Sequence, residues 1–202
     1  MSKQNEILII GNGRSVLDYT FGTWINSFSM IGRINNFSIN KYSKYIGDKT
    51  DIWFNGANQN LKKQKVIPTD VVVFIPVEIL NKKKEKIHDR ITKRLHIPKE
   101  NYSLVSVDII EKYEQLLNVK RPTTGTCSIL WGLDNFEKVF IHGFDFFIDS
   151  KSHYNENRIN KWLIDSGINK KGEKHDMVTE KIYIEKLIIE KKVILLKEYL
   201  NK

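Results

Sequence analysis

The chain has 202 residues, 41% of them hydrophobic and 11% aromatic, with a formal net charge of +9 and one cysteine. That is enough apolar material for one domain with a real core and too much for disorder at scale. A lone Cys127 excludes an intramolecular disulfide, no apolar run approaches the roughly 20 residues of a membrane span, and the N-terminal segment carries no signal-peptide cleavage pattern, so a cytoplasmic protein is expected.

Taken in chain order, EILII (6–10) reads as a strand, and the Gly-Asn-Gly after it opens a helix beyond Gly13. Further strands are predicted at 29–34, 51–56 and 71–76, then a helix over 78–94, a strand at 103–107 and a helix over 109–117. A helix over 126–136 leads into a strand at 138–144, and an amphipathic helix over 177–192 precedes the last strand at 193–196. Several of the strand runs are continuously apolar rather than alternating, which marks strands buried on both faces of a parallel sheet. The expected architecture is α/β: a doubly wound, mostly parallel sheet flanked by helices, in a single domain over 1–202. Ligands then belong at the carboxyl ends of the strands. The polar, glycine-containing 150–175 stretch reads as a loop or lid.

The opening GNG invites a dinucleotide reading, which needs G-x-G-x-x-G and an acid about 20 residues on. Here the third glycine position is Val16, and Asn35 and Asn36 stand where the acid is wanted. No Gly-Lys-Ser/Thr follows for a P-loop. What survives is a glycine turn between strand and helix, which either serves geometry alone or presents backbone N–H groups and a helix end to an anion. Asn12 adds an amide that both donates and accepts.

A second loop-to-helix junction, RPTTGTCSILWGL (121–133), offers Thr123, Thr124 and Thr126 hydroxyls around Gly125. Threonine before an apolar helix is equally an ordinary N-cap. His153 and His175 both fall around the 150–175 stretch. With a helix starting near Asp176, His175 would stand at its N-terminal edge, where positive potential favours a neutral imidazole able to take a proton. Metal chemistry is not expected: there is no Asp-x-Asp pair, no i, i+4 histidine pair and no partner for Cys127. Lysine-rich pieces at 61–65, 81–86, 88–99 and 169–174 read as a solvated surface, or as a seat for an acidic acceptor or anionic lipid headgroups. Without zinc-finger spacing or an aromatic RNA-binding signature, no specific nucleic acid is expected.

Four pieces in order, ILIIGNGRSVLD…RINN…YIGDKTD (7–51), RPTTGTCSILWGLDNFEKVFIHGFDFF (121–147), HYNE (153–156) and HDMVTE (175–180), resemble the large, small, third and very small motifs of glycosyltransferase family 29, the sialyltransferases. The middle of the chain, about 57–118, is not covered. The resemblance implies the GT-A-like fold variant of that family and a CMP-sugar donor, with no cofactor and no metal. Carried over residue by residue, Asn12 and Asn35 would contact the nucleotide, beside Gly13 and with Ser15 where the family often has an asparagine. Thr123, Thr124 and Gly125 would hold the cytidine and ribose side, with Tyr154 also on the donor. His153 would assist the departing phosphate, His175 would be the general base, and Glu180 would brace the local structure. The outcome in the family is inversion at the anomeric carbon, on a glycan or glycolipid acceptor hydroxyl. Secretory members carry a membrane anchor and a disulfide joining the large and small motifs. Neither is found here, so a soluble bacterial or viral relative is expected, in peripheral contact at most with the inner face of a membrane. The rivals are a transferase using CMP-Kdo or another nucleotide sugar, and a non-catalytic nucleotide- or polyanion-binding module.

Overall fold

The computed structural model describes residues 3–145 and 176–200. Seven strands, β1 (Gln4–Ile10), β2 (Ile31–Ile34), β3 (Ile52–Asn55), β4 (Asp70–Val73), β5 (Ser103–Leu104), β6 (Phe136–His142) and β7 (Val193–Leu195), form one sheet in the order β5-β4-β3-β2-β1-β6-β7. Every described pairing is parallel, with β1 at the centre of the topology: Leu8 registers with Ile31 of β2 and with Phe140 of β6. The chain winds outward from β1 to β5, then crosses back to place β6 on the other side of β1. That reversal makes the carboxyl ends of β1 and β6 the topological switch point, the place where such sheets bind ligands.

The continuous apolar runs behave as expected of two-sided burial. Ile7, Leu8 and Ile9 are all fully buried, and period-2 alternation sends their side chains to opposite faces. On one face Ile7 and Ile9 pack with α5 (Val107–Leu117), α6 (Thr124–Asn135) and α7 (Met177–Ile189). On the other, Leu8, Ile10 and Phe140 pack with α1 (Gly22–Asn26), α2 (Ser43–Ile46) and α8 (Leu196–Leu200). Further along that second face, Trp53, Val71 and Val73 meet Ile87, Ile91 and Leu95 of α4 (Ile87–Leu95). The doubly wound architecture is therefore the one the sequence pattern implies.

Local differences have local causes. The helix expected directly after Gly13 is a short 3₁₀ turn, Arg14–Asp18, with Val16 N–H bonding Gly13 O at the i+3 spacing. The helix expected over 78–94 is broken into α3 (Val77–Lys82) and α4 at Lys83, whose φ of −128° leaves the helical region. The lysine-rich 82–86 stretch crowds like charge at that break. β5 stops after two residues because Ser106 turns the chain into α5. The 150–175 segment lies outside the described residues.

A buried charged side chain fastens a loop to the sheet. Arg33 in β2 is 1% exposed, and its guanidinium donates to Ile46 O at 2.7 Å, Gly47 O at 3.1 Å and Thr50 Oγ1 at 2.8 Å. It ties the 46–50 loop to the sheet.

Candidate active site

The loops that leave β1, β2, β3 and β6 are laced together at the carboxyl end of the sheet. Gly11 N–H bonds His142 O and Gly13 N–H bonds Gly143 O, at 2.8 and 2.9 Å. A Cβ on Gly11 would lie 2.2 Å from Gly143 O, so only glycine permits this approach. Asn12 Nδ2 donates to Ile34 O at 2.8 Å, joining the β1 loop to the end of β2. Asn35 follows in the left-handed region (φ 48°), a conformation asparagine tolerates better than most residues. Its carbonyl accepts from Trp53 Nε1 at 2.8 Å, and its Oδ1 accepts from Gly56 N–H at 3.0 Å. Asn12 and Asn35 are thus held by backbone partners on neighbouring strand ends.

The N-terminus of α6 abuts the same place. Thr123 is its N-cap, accepting from Thr126 N–H. A Cβ on Gly56 would fall 2.5 Å from Thr124 Oγ1, and one on Gly125 would fall 3.2 Å from the Phe144 ring. The positive end of a twelve-residue helix is therefore set against the ends of β2, β3 and β6. Glu180, fully buried on α7, closes this junction from behind. Its carboxylate accepts from Thr123 N–H at 3.0 and 3.1 Å, from Thr123 Oγ1 at 2.6 Å, and from Thr126 Oγ1. All of these partners are donors and the side chain is fully buried, so the carboxylate is committed to this junction. Its part is to hold the first turns of α6 and α7 together.

The α7 start is itself capped by Asp176, which accepts from Thr179 N–H and Oγ1; those bonds hold its carboxyl below the usual range. His175 precedes this cap in the chain. His153, Tyr154 and His175 all lie outside the described residues, so the structure brings together Asn12, Gly13, Asn35, Thr123, Thr124, Gly125 and Glu180.

Ser15 is placed differently. Its N–H and hydroxyl both go to Asp145, at 3.1 and 2.5 Å, and a Cβ on Gly13 would fall 2.4 Å from the Asp145 carboxyl carbon. The anion seated at the glycine turn is thus a carboxylate of the chain itself, which also explains why the segment is a pinned 3₁₀ turn and not a free helix end. Sequence reading missed Asp145, although an acid two residues beyond the Gly143 strand exit was its visible signal. It also missed the rim formed by α3. There Arg121 donates to Glu78 through Nε at 3.1 Å and Nη2 at 2.5 Å, while Lys82 bonds the same carboxylate at 2.6 Å. The Lys82 and Arg121 bonds pull Glu78 down to about 2. Glu114, raised by burial, accepts Val77 N–H and ties this rim to α5. Among the described residues no group of three or more His, Cys, Asp or Glu side chains is arranged to hold a metal ion, and no helix is long and apolar enough to cross a membrane.

The family profile described as Glycosyltransferase family 29 (sialyltransferase) matches residues 3–192. The chain belongs to glycosyltransferase family 29, the sialyltransferases. It is a glycosyltransferase by that membership, and the matched span takes in the middle of the chain as well as all four motif pieces. Two solved structures share the transferase's fold. A mammalian sialyltransferase superposes with a TM-score of 0.70 at 19% identity, covering 96% of this chain and 69% of that one. A mammalian sialyltransferase in complex with Gal-beta-1-3GalNAc-ortho-nitrophenol gives a TM-score of 0.69 at 18% identity, covering 96% and 70%. No curated protein matches the chain.

Proposed function

We propose that this sialyltransferase-family enzyme moves a sialic acid-type sugar from a CMP-linked donor to a glycan or glycolipid hydroxyl, with inversion and without a metal. The observation that carries the reading is the convergence of Asn12, Asn35 and Thr123–Gly125 at one strand-end site, although 88 residues separate Asn35 from Thr123 in the sequence. The α6 N-terminus faces that site and suits a phosphate, since aligned backbone N–H groups and the helix dipole favour negative charge. Gly125 lets the Phe144 ring pack against the first turn of that helix, and the Thr124 hydroxyl lies against Gly56. The chemistry needs no covalent intermediate. CMP departs as a stabilised anion, and a base removes the acceptor proton as the new bond forms. His175 is proposed as that base and His153 as the group that meets the departing phosphate, both from their motif positions. The bonding of α7's first turn to Thr123 supports the first of these, since that turn directly follows His175 in the chain.

The test is transfer from CMP-Neu5Ac, run beside CMP-Kdo, with CMP affinity measured by calorimetry. Turnover with CMP-Neu5Ac is expected, and His175→Ala should abolish transfer while CMP affinity stays within about twofold. Turnover with CMP-Kdo alone would replace the donor, and full activity of the variant would remove His175 from the base role.

A further inference from the structure

Most of the chain's charge is confined to one short stretch. Residues 61–99 hold eleven Lys and Arg against four Asp and Glu, a net of +7 in a chain whose total is +9. The fold gathers this stretch into one surface beside the candidate site. In the loop after β3, Leu61 and Ile67 pack against the cluster that holds Ile87, Ile91 and Leu95. Tacked down at those two points, the loop leaves Lys62, Lys63, Lys65 and Val66 exposed between them, Val66 to 80%. Arg94 of α4 donates to Ala57 O at 2.5 Å, so the flank of α4 that carries Arg90 and Arg94, one turn apart, faces the same loop. Lys83 and Lys86 are exposed just before the first turn of α4.

Two observations separate this surface from an ordinary solvated face. The first is the lack of counter-charges. Among the described residues Lys62, Lys63, Lys65, Lys83, Lys86 and Arg90 form no ion pair, whereas Lys181 and Lys186 of α7 are each matched by a glutamate four residues on. Burial and the neighbouring Arg90 hold the Arg94 guanidinium below its ordinary value, in keeping with like charges gathered together. The second is composition. Nine of the eleven cations are lysines, and Phe74, the one aromatic of Phe, Trp or Tyr type in the stretch, is buried in the core. No ring is offered on which a nucleic-acid base could stack, and few guanidinium forks are offered to a fixed phosphate. Flexible ammonium groups around an exposed valine suit a diffuse field of anions with an apolar layer beneath it.

We propose that the 61–67 loop and α4 dock this protein on an anionic phospholipid bilayer, with the lysines among the headgroups and Val66 at the acyl boundary. The loop begins at the rim of the candidate site. Lys62 N–H bonds Asn36 Oδ1 at 2.8 Å and Asn36 Nδ2 donates to Asn60 O at 3.2 Å, one residue beyond Asn35. Docking therefore sets the strand-end site beside the membrane, where an acceptor carried on a lipid is presented at a surface instead of from solution. That consequence rests on the transferase reading above; the docking itself does not.

The experiment sediments the full chain, without donor or acceptor, with vesicles of phosphatidylcholine alone and of a roughly two-to-one mixture with phosphatidylglycerol. Binding to the mixed vesicles and not to phosphatidylcholine is expected. A lysine near an anionic surface strengthens binding about fivefold, so Lys62→Gln/Lys63→Gln/Lys65→Gln should weaken it at least tenfold. Val66→Ser should weaken it severalfold. The control Lys138→Gln/Lys186→Gln/Lys191→Gln removes the same charge near β6 and β7, on the far side of the sheet from β4 and β5, and should cost less than about threefold. All six lysines are exposed, so both triple variants are expected to fold, checked by melting temperature. Equal sedimentation with the two vesicle types, or with neither, overturns the proposal. So does a control variant that loses as much as the loop variant, because net charge alone then explains the binding. A single-stranded RNA that binds more tightly than the mixed vesicles also overturns it and gives the surface to nucleic acid. Failure of the donor reading shows separately, in the CMP titration, and leaves the vesicle result standing.

Discussion

Removing the Glu180 carboxylate should unfasten the candidate site from behind. Its oxygens receive the Thr123 N–H, the Thr123 hydroxyl and the Thr126 hydroxyl, and the side chain is fully buried. In Glu180→Ala one hydroxyl can turn to the other, since Thr123 Oγ1 already lies 3.1 Å from Thr126 Oγ1. Two donors then remain buried and unpaired, at about 1–3 kcal/mol each. A loss of roughly 4 kcal/mol follows, which for a chain of this size lowers Tm by about 8–16 °C. The assay is urea denaturation of Glu180→Ala, Thr126→Val and the double variant. Thr126→Val alone should cost about 1 kcal/mol by removing one donor to a carboxylate that keeps the others. In the Glu180→Ala background the same change removes one unpaired donor but takes the acceptor from the Thr123 hydroxyl, so the number of unpaired donors is unchanged and the effect should be close to neutral. That is a coupling of about 1 kcal/mol or more, within the range seen for residues sharing one network. If Glu180→Ala costs under about 1 kcal/mol, or the two changes simply add, the carboxylate does not hold this junction as argued.

Other outcomes follow from the same physics. His142 is held at about 4 by burial against an ordinary 6.5, so its contribution is fully present above pH 6.5 and is lost as pH falls through about 4. The total approaches roughly 3 kcal/mol, and in His142→Phe this part of the acid slope should vanish from pH-dependent denaturation. Gly13→Ala should destabilise by about 1–3 kcal/mol because its Cβ meets the Asp145 carboxylate, and most of that cost should disappear in an Asp145→Ala background. Cys127 is buried and its thiol is pushed up by burial, so a thiol reagent should label it only at the rate of global unfolding.

The sheet was legible before any coordinates because burial on both faces leaves continuous apolar runs, and all seven predicted strands are present within a few residues. Helix boundaries were less legible where tertiary contacts intervene. The turn after Gly13 is shortened by a carboxylate that arrives from position 145, and α3 and α4 separate at a lysine-rich break whose neighbours only the fold supplies.

For the site, the chain's own residues declared their types and spacing: Asn12 between two glycines, Asn35 after a strand, and threonines before an apolar helix. Those are local signals, because glycine turns and N-caps are decided by backbone conformation within a few residues. Which of them meet was settled by topology. The return of the chain to β6 beside β1 brings Gly143–Asp145 against Gly11–Ser15, and the seating of α7 carries Glu180 to Thr123. Partners 130 and 57 residues apart leave no periodicity to read. So the Ser15 hydroxyl, free for a ligand on sequence grounds, is committed to Asp145, and His142, an ordinary strand residue in the sequence, keeps a buried ring nitrogen with no hydrogen-bond partner.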